Sequence, residues 1–256
     1  MTVIAHLSDL HFGAEDPAVV ATLAEDVAAA RPDLVAVSGD LTQRARHREF
    51  HAAAQFLRSL PAPVLAVPGN HDLTPHDVLE RFADPWGRWR RYVGPETEPA
   101  WTDGTVAVVG LNTARRGGLY LNWARGRVGR ERLARLEARL AALPDGVFRI
   151  VVAHHPFSAP ALRPDARLVG GAEPALAAFA RHGVGLVLSG HLHLPDIAPM
   201  VPGARLLLVQ AASATSHRLR GSPNAWHRIV VEDGVPRIAT RVWSEGAWRD
   251  PPAGPE

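Results

Sequence analysis

Apolar residues in this chain gather in short continuous runs, and each run breaks off at a polar cluster. Val3-Ile4-Ala5-His6-Leu7 stops at Ser8-Asp9-Leu10-His11, and Leu34-Val35-Ala36-Val37 stops at Ser38-Gly39-Asp40. Residues 64–67 stop at Pro68-Gly69-Asn70-His71-Asp72. Between the first two runs, Val20, Leu23 and Val27 recur at helical spacing with Glu25 and Asp26 off the stripe, and Arg31-Pro32 closes the segment. A second helix is expected over residues 48–60, ended by Pro61. The strands in this β-α-β-α-β rhythm do not alternate apolar with polar, which is the pattern of strands buried on both faces in a sheet covered by helices.

Further along, the rhythm loosens. Residues 74–92 carry helical stretches with Trp86, Trp89 and a run of arginines. Residues 105–111 form another strand, ending at Asn112, and residues 113–128 read as a long loop rich in Gly and Arg. The clearest helix covers 130–143, where Leu133, Leu136, Leu140 and Leu143 share a stripe and Glu131 stands four residues ahead of Arg135. A strand over 148–153 ends at His154-His155-Pro156, a helix follows over 174–181, and the run 185–188 ends at Ser189-Gly190-His191-Leu192-His193. The remainder reads as all-β over 205–210, 227–232 and 236–242, with Asp233-Gly234 as a hairpin turn. No repeat or linker divides the chain, so one domain over 1–249 is expected, followed by a frayed Pro/Gly tail over 250–256.

Composition narrows the chemistry. A chain of 256 residues can bury roughly three quarters of its unfolded surface and needs no staples. It has no cysteine, which excludes disulfides and thiolate metal sites. Any metal must be held by His, Asp, Glu or Asn, a set that suits Mn, Fe, Zn or Mg. The 28 basic residues are all arginine and the formal net charge is only +2, so charge balance does not demand a nucleic-acid partner. No apolar run is long enough to span a membrane and no leader pattern precedes the first strand, so a soluble cytoplasmic protein is expected.

In open α/β sheets the ligand site lies beyond the carboxyl ends of the strands. Five strand ends here carry Asp9 and His11, Asp40, Asn70 and His71, His154, and His191 and His193. Any one of them alone is more often a cap, a turn former or a structural histidine. Five in succession point to a metal site. More oxygen and nitrogen donors are present than one small divalent ion takes while keeping a position open for water. A shared carboxylate could bridge two ions about 3.5–4 Å apart, and Asp40, central in the early array, is the natural bridge. The residues themselves thus describe a dinuclear metal-assisted hydrolase.

The set Asp9-x-His11, Gly39-Asp40, Gly69-Asn70-His71-Asp72, His154-x-Pro156 and Gly190-His191-x-His193, in that order over residues 3–193, resembles the calcineurin-like metallophosphoesterases. Leu192 stands where many of those proteins carry Thr or Val. The resemblance implies an α/β fold, a four-layer αββα sandwich of two mixed β-sheets flanked by helices, with the metals at one edge of the paired sheets. It also implies roles. Asp9, His11 and His193 hold the first metal, Asn70, His154 and His191 hold the second, and Asp40 bridges them; Mn or Fe fits best and Zn is an alternative. The family's ligand stands two residues before the proline, which selects His154 and leaves His155 facing the other way along an extended chain. His71 looks like the general acid that protonates the leaving alkoxide, a task suited to a group titrating near neutral pH. Asp72 either orients it or serves as a turn residue. The implied reaction is phosphoester hydrolysis by a hydroxide held between the metals, with no covalent enzyme intermediate.

Ser8-Asp9-Leu10-His11, Ser38-Gly39-Asp40-Leu41-Thr42 and Gly126-Arg127-Val128 look most like bacterial class III cyclic nucleotide phosphodiesterases. A small phosphodiester such as a cyclic nucleotide is therefore the expected substrate. A phosphomonoesterase, a glycerophosphodiesterase and a nuclease of the same fold are the alternatives, and a metal-free scaffold is disfavoured because every ligand is present. Arg115 and Arg116 could grip a phosphate or lie in a solvated loop. His217, with Ser213 and Thr215 nearby, is not expected to be essential. Residues 86–92 interleave bases with aromatics, which fits stacking on single-stranded nucleic acid, or equally an amphipathic helix face or a homodimer contact; the low net charge favours the latter two. No nucleic-acid or membrane partner is required.

Overall fold

The apolar runs become the strands of two six-stranded sheets in the computed structural model, which describes residues 1–117, 124–200 and 205–251. The first sheet has the order β12-β11-β10-β1-β2-β3. It is made of β1 (Thr2–Leu7), β2 (Leu34–Val37), β3 (Val64–Ala66), β10 (Ala225–Glu232), β11 (Val235–Ser244) and β12 (Ala247–Arg249). The second has the order β4-β5-β6-β7-β9-β8. Its strands are β4 (Ala100–Thr102), β5 (Val106–Leu111), β6 (Phe148–Ala153), β7 (Val184–Ser189), β8 (Asp196–Pro199) and β9 (Leu207–Gln210). Strands β1, β2 and β3 run parallel, as do β5, β6, β7 and β9. The hairpin strands at the edges run antiparallel, which makes both sheets mixed.

Three buried clusters explain why the central strands are so largely apolar, with His6 in β1 a buried exception. Ala5, Leu7, Val35 and Val37 face α1 (Pro17–Ala29) and α2 (His47–Ser59) through Val19, Leu23, Val27, Phe50 and Phe56. Val109, Leu111, Val151, Ala153 and Val187 face α5 (Arg130–Ala141) and α6 (Ala172–Arg181) through Leu136, Leu140, Ala175 and Phe179. The alternate residues of the same strands, Ile4, Leu34, Ala36, Leu65, Val108, Ile150, Val152, Leu186 and Leu188, meet between the sheets. Successive side chains on a strand point to opposite faces, so every central strand is buried twice and the layers run helix, sheet, sheet, helix. Each fully buried Leu or Ile in such a layer contributes about 1.5–3 kcal/mol.

The helix faces differ in detail from the sequence reading. Helix α1 buries Val19 rather than Val20, beside Leu23 and Val27. Its start explains the offset: Asp16 caps the helix by accepting from the Ala18 N–H at 2.9 Å, and Pro17 sits at the first helical position. The short edge strands β4, β8 and β12 did not emerge from the pattern because they are only three or four residues long and half exposed. The Asp233-Gly234 turn is as expected, with both residues at positive φ (51° and 73°) as a two-residue hairpin loop of this type needs. Asp250, the first residue of the expected tail, is held by Arg241 Nη1 at 3.1 Å. Residues 252–256 lie outside the described residues, as do 118–123 of the long loop.

Residues 86–92 fall on a short helix and its N-cap. Helix α4 (Gly87–Tyr92) packs on α2, with the Tyr92 ring stacked 6.0 Å from Phe50. Trp89 is buried and donates its indole N–H to the Glu96 carbonyl at 2.9 Å. Arg88 pairs with Glu80, which sits on α3 (Val78–Ala83), and Arg90 pairs with Asp84. Neither the buried indole nor these paired bases are available to stack on a nucleotide. Among the described residues, no helix is long and apolar enough to cross a membrane.

Candidate metal centre

The carboxyl ends of the parallel strands bring Asp9, His11, Asp40, Asn70, His71, His154, His191 and His193 to one edge of the sandwich. In the first group, Asp9 splits its two oxygens. Oδ2 accepts from the Ser8 hydroxyl at 2.6 Å and from the His191 N–H at 2.9 Å. Oδ1 is buried without a hydrogen-bond partner, 3.2 Å from His193 Nε2 and 3.6 Å from His11 Nε2. His193 donates Nδ1–H to the Arg218 carbonyl at 3.0 Å, which leaves Nε2 without a proton in the neutral ring. Nitrogen ligands held about 2.0–2.1 Å from one ion at right angles lie about 3 Å apart. His11 Nε2 and His193 Nε2 are 3.0 Å apart.

In the second group, His154 donates Nδ1–H to the Ser38 carbonyl at 2.8 Å, so its Nε2 faces Asp40 Oδ2 at 3.2 Å and His191 Nδ1 at 3.3 Å. The Asn70 amide oxygen is buried without a partner. Asp40 joins the two groups. Its Oδ1 accepts from the His71 N–H at 2.8 Å, while Oδ2 faces His154 and also lies 3.8 Å from His11 Nε2. Buried polar atoms are nearly always paired, so the unpaired oxygens of Asp9 and Asn70 fit positions where cations complete the bonding. The donor clusters suit a dinuclear divalent-metal site.

Charge tells the same story. Burial alone would raise Asp9 and Asp40, yet the surrounding histidines hold both carboxyls below the ordinary range. Burial alone would lower His154, but the Asp40 carboxylate lifts it to about 9. His191 goes the other way, to about 3, through burial and repulsion from His154. The two buried carboxylates thus concentrate negative charge where the donors converge.

The backbone is bent to make this convergence. Asp9, His11, Asp40, His191 and His193 have φ between 48° and 74°, a region that non-glycine residues seldom occupy. Gly69 and Gly190 allow neighbouring loops to close in: a Cβ on Gly69 would collide with the Asp40 carboxylate, and one on Gly190 with Ser8 Oγ and Asp9 Oδ2.

His71 donates Nδ1–H to the Gln43 carbonyl at 2.6 Å, and its ring stands edge-on to His11 with centroids 4.9 Å apart. Of the two roles open to Asp72, the geometry gives the second. Its carboxylate accepts from the N–H groups of Leu41, Thr42 and Gly69 at 3.2, 2.9 and 2.9 Å, tying together the loops after β2 and β3. Burial and the nearby Asp40 raise its pKa to about 6.

His155 corrects an expectation. It does not turn away from the site; its ring lies 4.7 Å from that of His191 and 4.8 Å from that of His154. Both its nitrogens are engaged. Nε2–H donates to the Ala124 carbonyl at 3.1 Å, so Nδ1 accepts from the Thr113 hydroxyl at 2.8 Å. Burial keeps the ring neutral. His155 is a wall of the site with no lone pair to spare, although its position gives it the proximity of a ligand.

The loop after β9 acts as a brace. Ser213 Oγ donates to the Asp9 carbonyl at 2.6 Å and Thr215 to that of Leu10, while His217 is exposed. Arg115 lines a separate cavity of about 460 Å³ with Arg127, Arg130 and Arg135, and Arg116 is exposed; neither lines the cavity beside the donors. That cavity, about 300 Å³, touches His155 and His191 and is lined by Arg125, Arg163, Arg167 and Arg220. Sequence reasoning missed Ser8, the Gln43 and Arg218 carbonyls and these four arginines. Of these, only Ser8 carried a signal, as the immediate neighbour of Asp9. A cavity of about 420 Å³ lined by Leu57, Val64, Tyr92 and Pro99 lies beside β3 and holds none of the donors.

Comparison with known proteins agrees with this geometry. The model of the family described as calcineurin-like phosphoesterase matches residues 2–195. A protein designated "Probable glycerophosphodiester phosphodiesterase GpdQ" from Arcobacter nitrofigilis is 28% identical over 126 residues, covering 49% of this chain and 42% of that protein. Glycerophosphodiester phosphodiesterase GpdQ from Enterobacter lignolyticus is 35% identical over 81 residues, covering 27% and 29%. The chain thus spans less than half the length of these curated relatives. Among solved structures, a dimetal phosphatase from Danio rerio superposes with a TM-score of 0.67 at 12% identity, covering 93% of this chain and 95% of that one. Purple acid phosphatase PPD1 from yellow lupin superposes at 0.68 and 14% identity, covering 97% and 52%. At such identities these two establish the fold alone: two mixed sheets with flanking helices, as in metal-dependent phosphatases.

Proposed function

Because the chain belongs to the calcineurin-like phosphoesterase family, we propose that it is a dinuclear metal-dependent phosphodiesterase acting on small phosphodiesters. Asp9, His11 and His193 would hold one ion, Asn70, His154 and His191 the other, with Asp40 shared between them. The observation that carries this reading is Asp40 itself, one of whose oxygens faces a histidine of each group. The all-nitrogen-and-oxygen donor set favours Mn or Fe, with Zn as the alternative.

Bound divalent ions supply Lewis acidity toward phosphate oxygens and lower the pKa of water in the site. The chain's own residues do the rest. His71 is the general acid. With Nδ1–H spent on Gln43, its Nε2 is the atom that carries a proton to the departing alkoxide when the ring is charged. Ser8, Ser38 and Arg218 fix Asp9, His154 and His193 so that each presents one atom to the ions.

Cyclic nucleotides are the first substrate class in this reading, by likeness of the motifs. The designation of the partial relatives as glycerophosphodiester phosphodiesterases favours glycerophosphodiesters as the second. A panel decides between them. Mn-loaded protein is offered bis(p-nitrophenyl) phosphate, 3′,5′- and 2′,3′-cyclic AMP, glycerophosphocholine, a phosphomonoester and single-stranded DNA. Cleavage of the diesters well above the monoester and the DNA is the expected outcome. No cleavage of any diester after metal loading removes the proposal.

A further inference from the structure

Three separate segments deliver arginines to the cavity of about 300 Å³ beside His191: Arg125 before α5, Arg163 and Arg167 between β6 and α6, and Arg220 between β9 and β10. None of the four guanidinium groups meets a carboxylate among the described residues, whereas Arg88, Arg132, Arg181 and Arg241 each do. Asp165 is the one carboxylate among the residues lining the cavity. All four side chains are exposed, and a chain of net charge +2 has no general excess of positive charge to distribute over one cavity. The arrangement calls for an anion.

That anion is not the scissile phosphate. Of the proposed metal ligands only His191 lines this cavity; Asp9, His11, Asp40, Asn70, His154 and His193 do not, and neither does His71. The cavity therefore flanks the candidate centre on its His191 side. We infer that the cavity receives a second phosphoryl group, so that preferred substrates are phosphodiesters carrying a phosphomonoester on the same molecule. This rests on the phosphodiesterase reading above. A phosphomonoester brings nearly two negative charges and three acceptor oxygens near neutral pH, which planar guanidinium forks match in pairs. The volume suits one small substituent.

Two chromogenic diesters that differ only in this group supply the test: thymidine 5′-(p-nitrophenyl phosphate) and its 3′-phosphorylated counterpart. With Mn-loaded protein, KM for the 3′-phosphorylated diester is expected to be lower by about tenfold or more, with kcat little changed. Arg163→Gln and Arg167→Gln should each remove most of that preference. Calorimetric binding of thymidine 3′,5′-bisphosphate against thymidine 5′-monophosphate makes the same comparison without turnover. If neither diester is cleaved but the bisphosphate binds more tightly and the variants lose that advantage, the anion cavity stands and the phosphodiesterase reading falls. Equal affinity for the two members of each pair overturns the inference. So does a preference that survives in both variants, or one lost equally in Arg237→Gln, which lies on β11 away from the cavity. Single-stranded DNA binding more tightly than the bisphosphate, with the same two variants losing it, would replace the small anion with a polymer.

Discussion

His71 Nδ1 lies 2.6 Å from the carbonyl oxygen of Gln43. A carbonyl can only accept, so this bond fixes which ring nitrogen carries the permanent proton and which one faces the reaction.

His71→Ala should therefore damage proton delivery without unseating the metals. The expected loss in kcat is about 10²–10⁴-fold for a diester with an alkoxide leaving group. It should be much smaller for bis(p-nitrophenyl) phosphate, whose leaving group needs no proton. Metal analysis should find the same content as in the unaltered protein; a variant stripped of metal would place His71 among the ligands instead.

Ser8→Ala tests a residue that the motif alone did not single out. Removing the hydroxyl frees Asp9 Oδ2 from one of its two donors. Loss of such a supporting bond costs about 10–100-fold in metal affinity, read by competition with a chelator. Asn70→Ala, which removes a direct donor, should weaken the second ion by more. Unchanged affinity in both would detach these residues from the centre.

Acid should destabilise the fold from below pH 6.5. His6 is held well below its ordinary value of 6.5 by burial and by His227, and His227 is lowered by burial. The unfolded chain takes up protons that these folded rings refuse. Their contribution is thus fully present above pH 6.5 and is lost as pH falls, by at most about 1.4 kcal/mol per pH unit for each ring. His154 runs opposite in the metal-free protein. Raised to about 9, it contributes fully below 6.5 and loses that contribution as pH climbs toward 9. Urea midpoints from pH 5 to 9 should trace both limbs, and a flat acid limb would mean that the buried rings charge freely.

The packing of α1 gives a stability prediction. Leu23→Ala should cost about 2–5 kcal/mol, and Val19→Ala should cost more than Val20→Ala, because Val19 is the buried neighbour. Denaturant titration separates the pair; the reverse order would rotate the helix.

Much of this was legible in the sequence, for a physical reason. A strand buried on both faces is apolar at nearly every position, so its end is marked by a polar cluster, and that is where the donors stand. Asp9, Asp40, Asn70, His154 and His191 were visible in this way. The ring nitrogen that each histidine presents was not, because backbone carbonyls of Gln43, Ser38 and Arg218 decide it and carbonyls have no letter in a sequence. His155 misled because alternation along a strand does not continue through the loop beyond Ala153, where Thr113 and Ala124 hold the ring against His191. The arginine cavity was hidden because its members come from segments that share no motif.

Asp72, a residue that touches neither the ions' positions nor the reacting atoms, fastens the second and third ligand-bearing loops to each other through four hydrogen bonds from Gly69, Leu41 and Thr42. The loops are joined by the chain, not by the cargo they hold. Under the proposed reading, then, the fold should stand before any metal arrives, and the centre should be open to loading and stripping without unfolding.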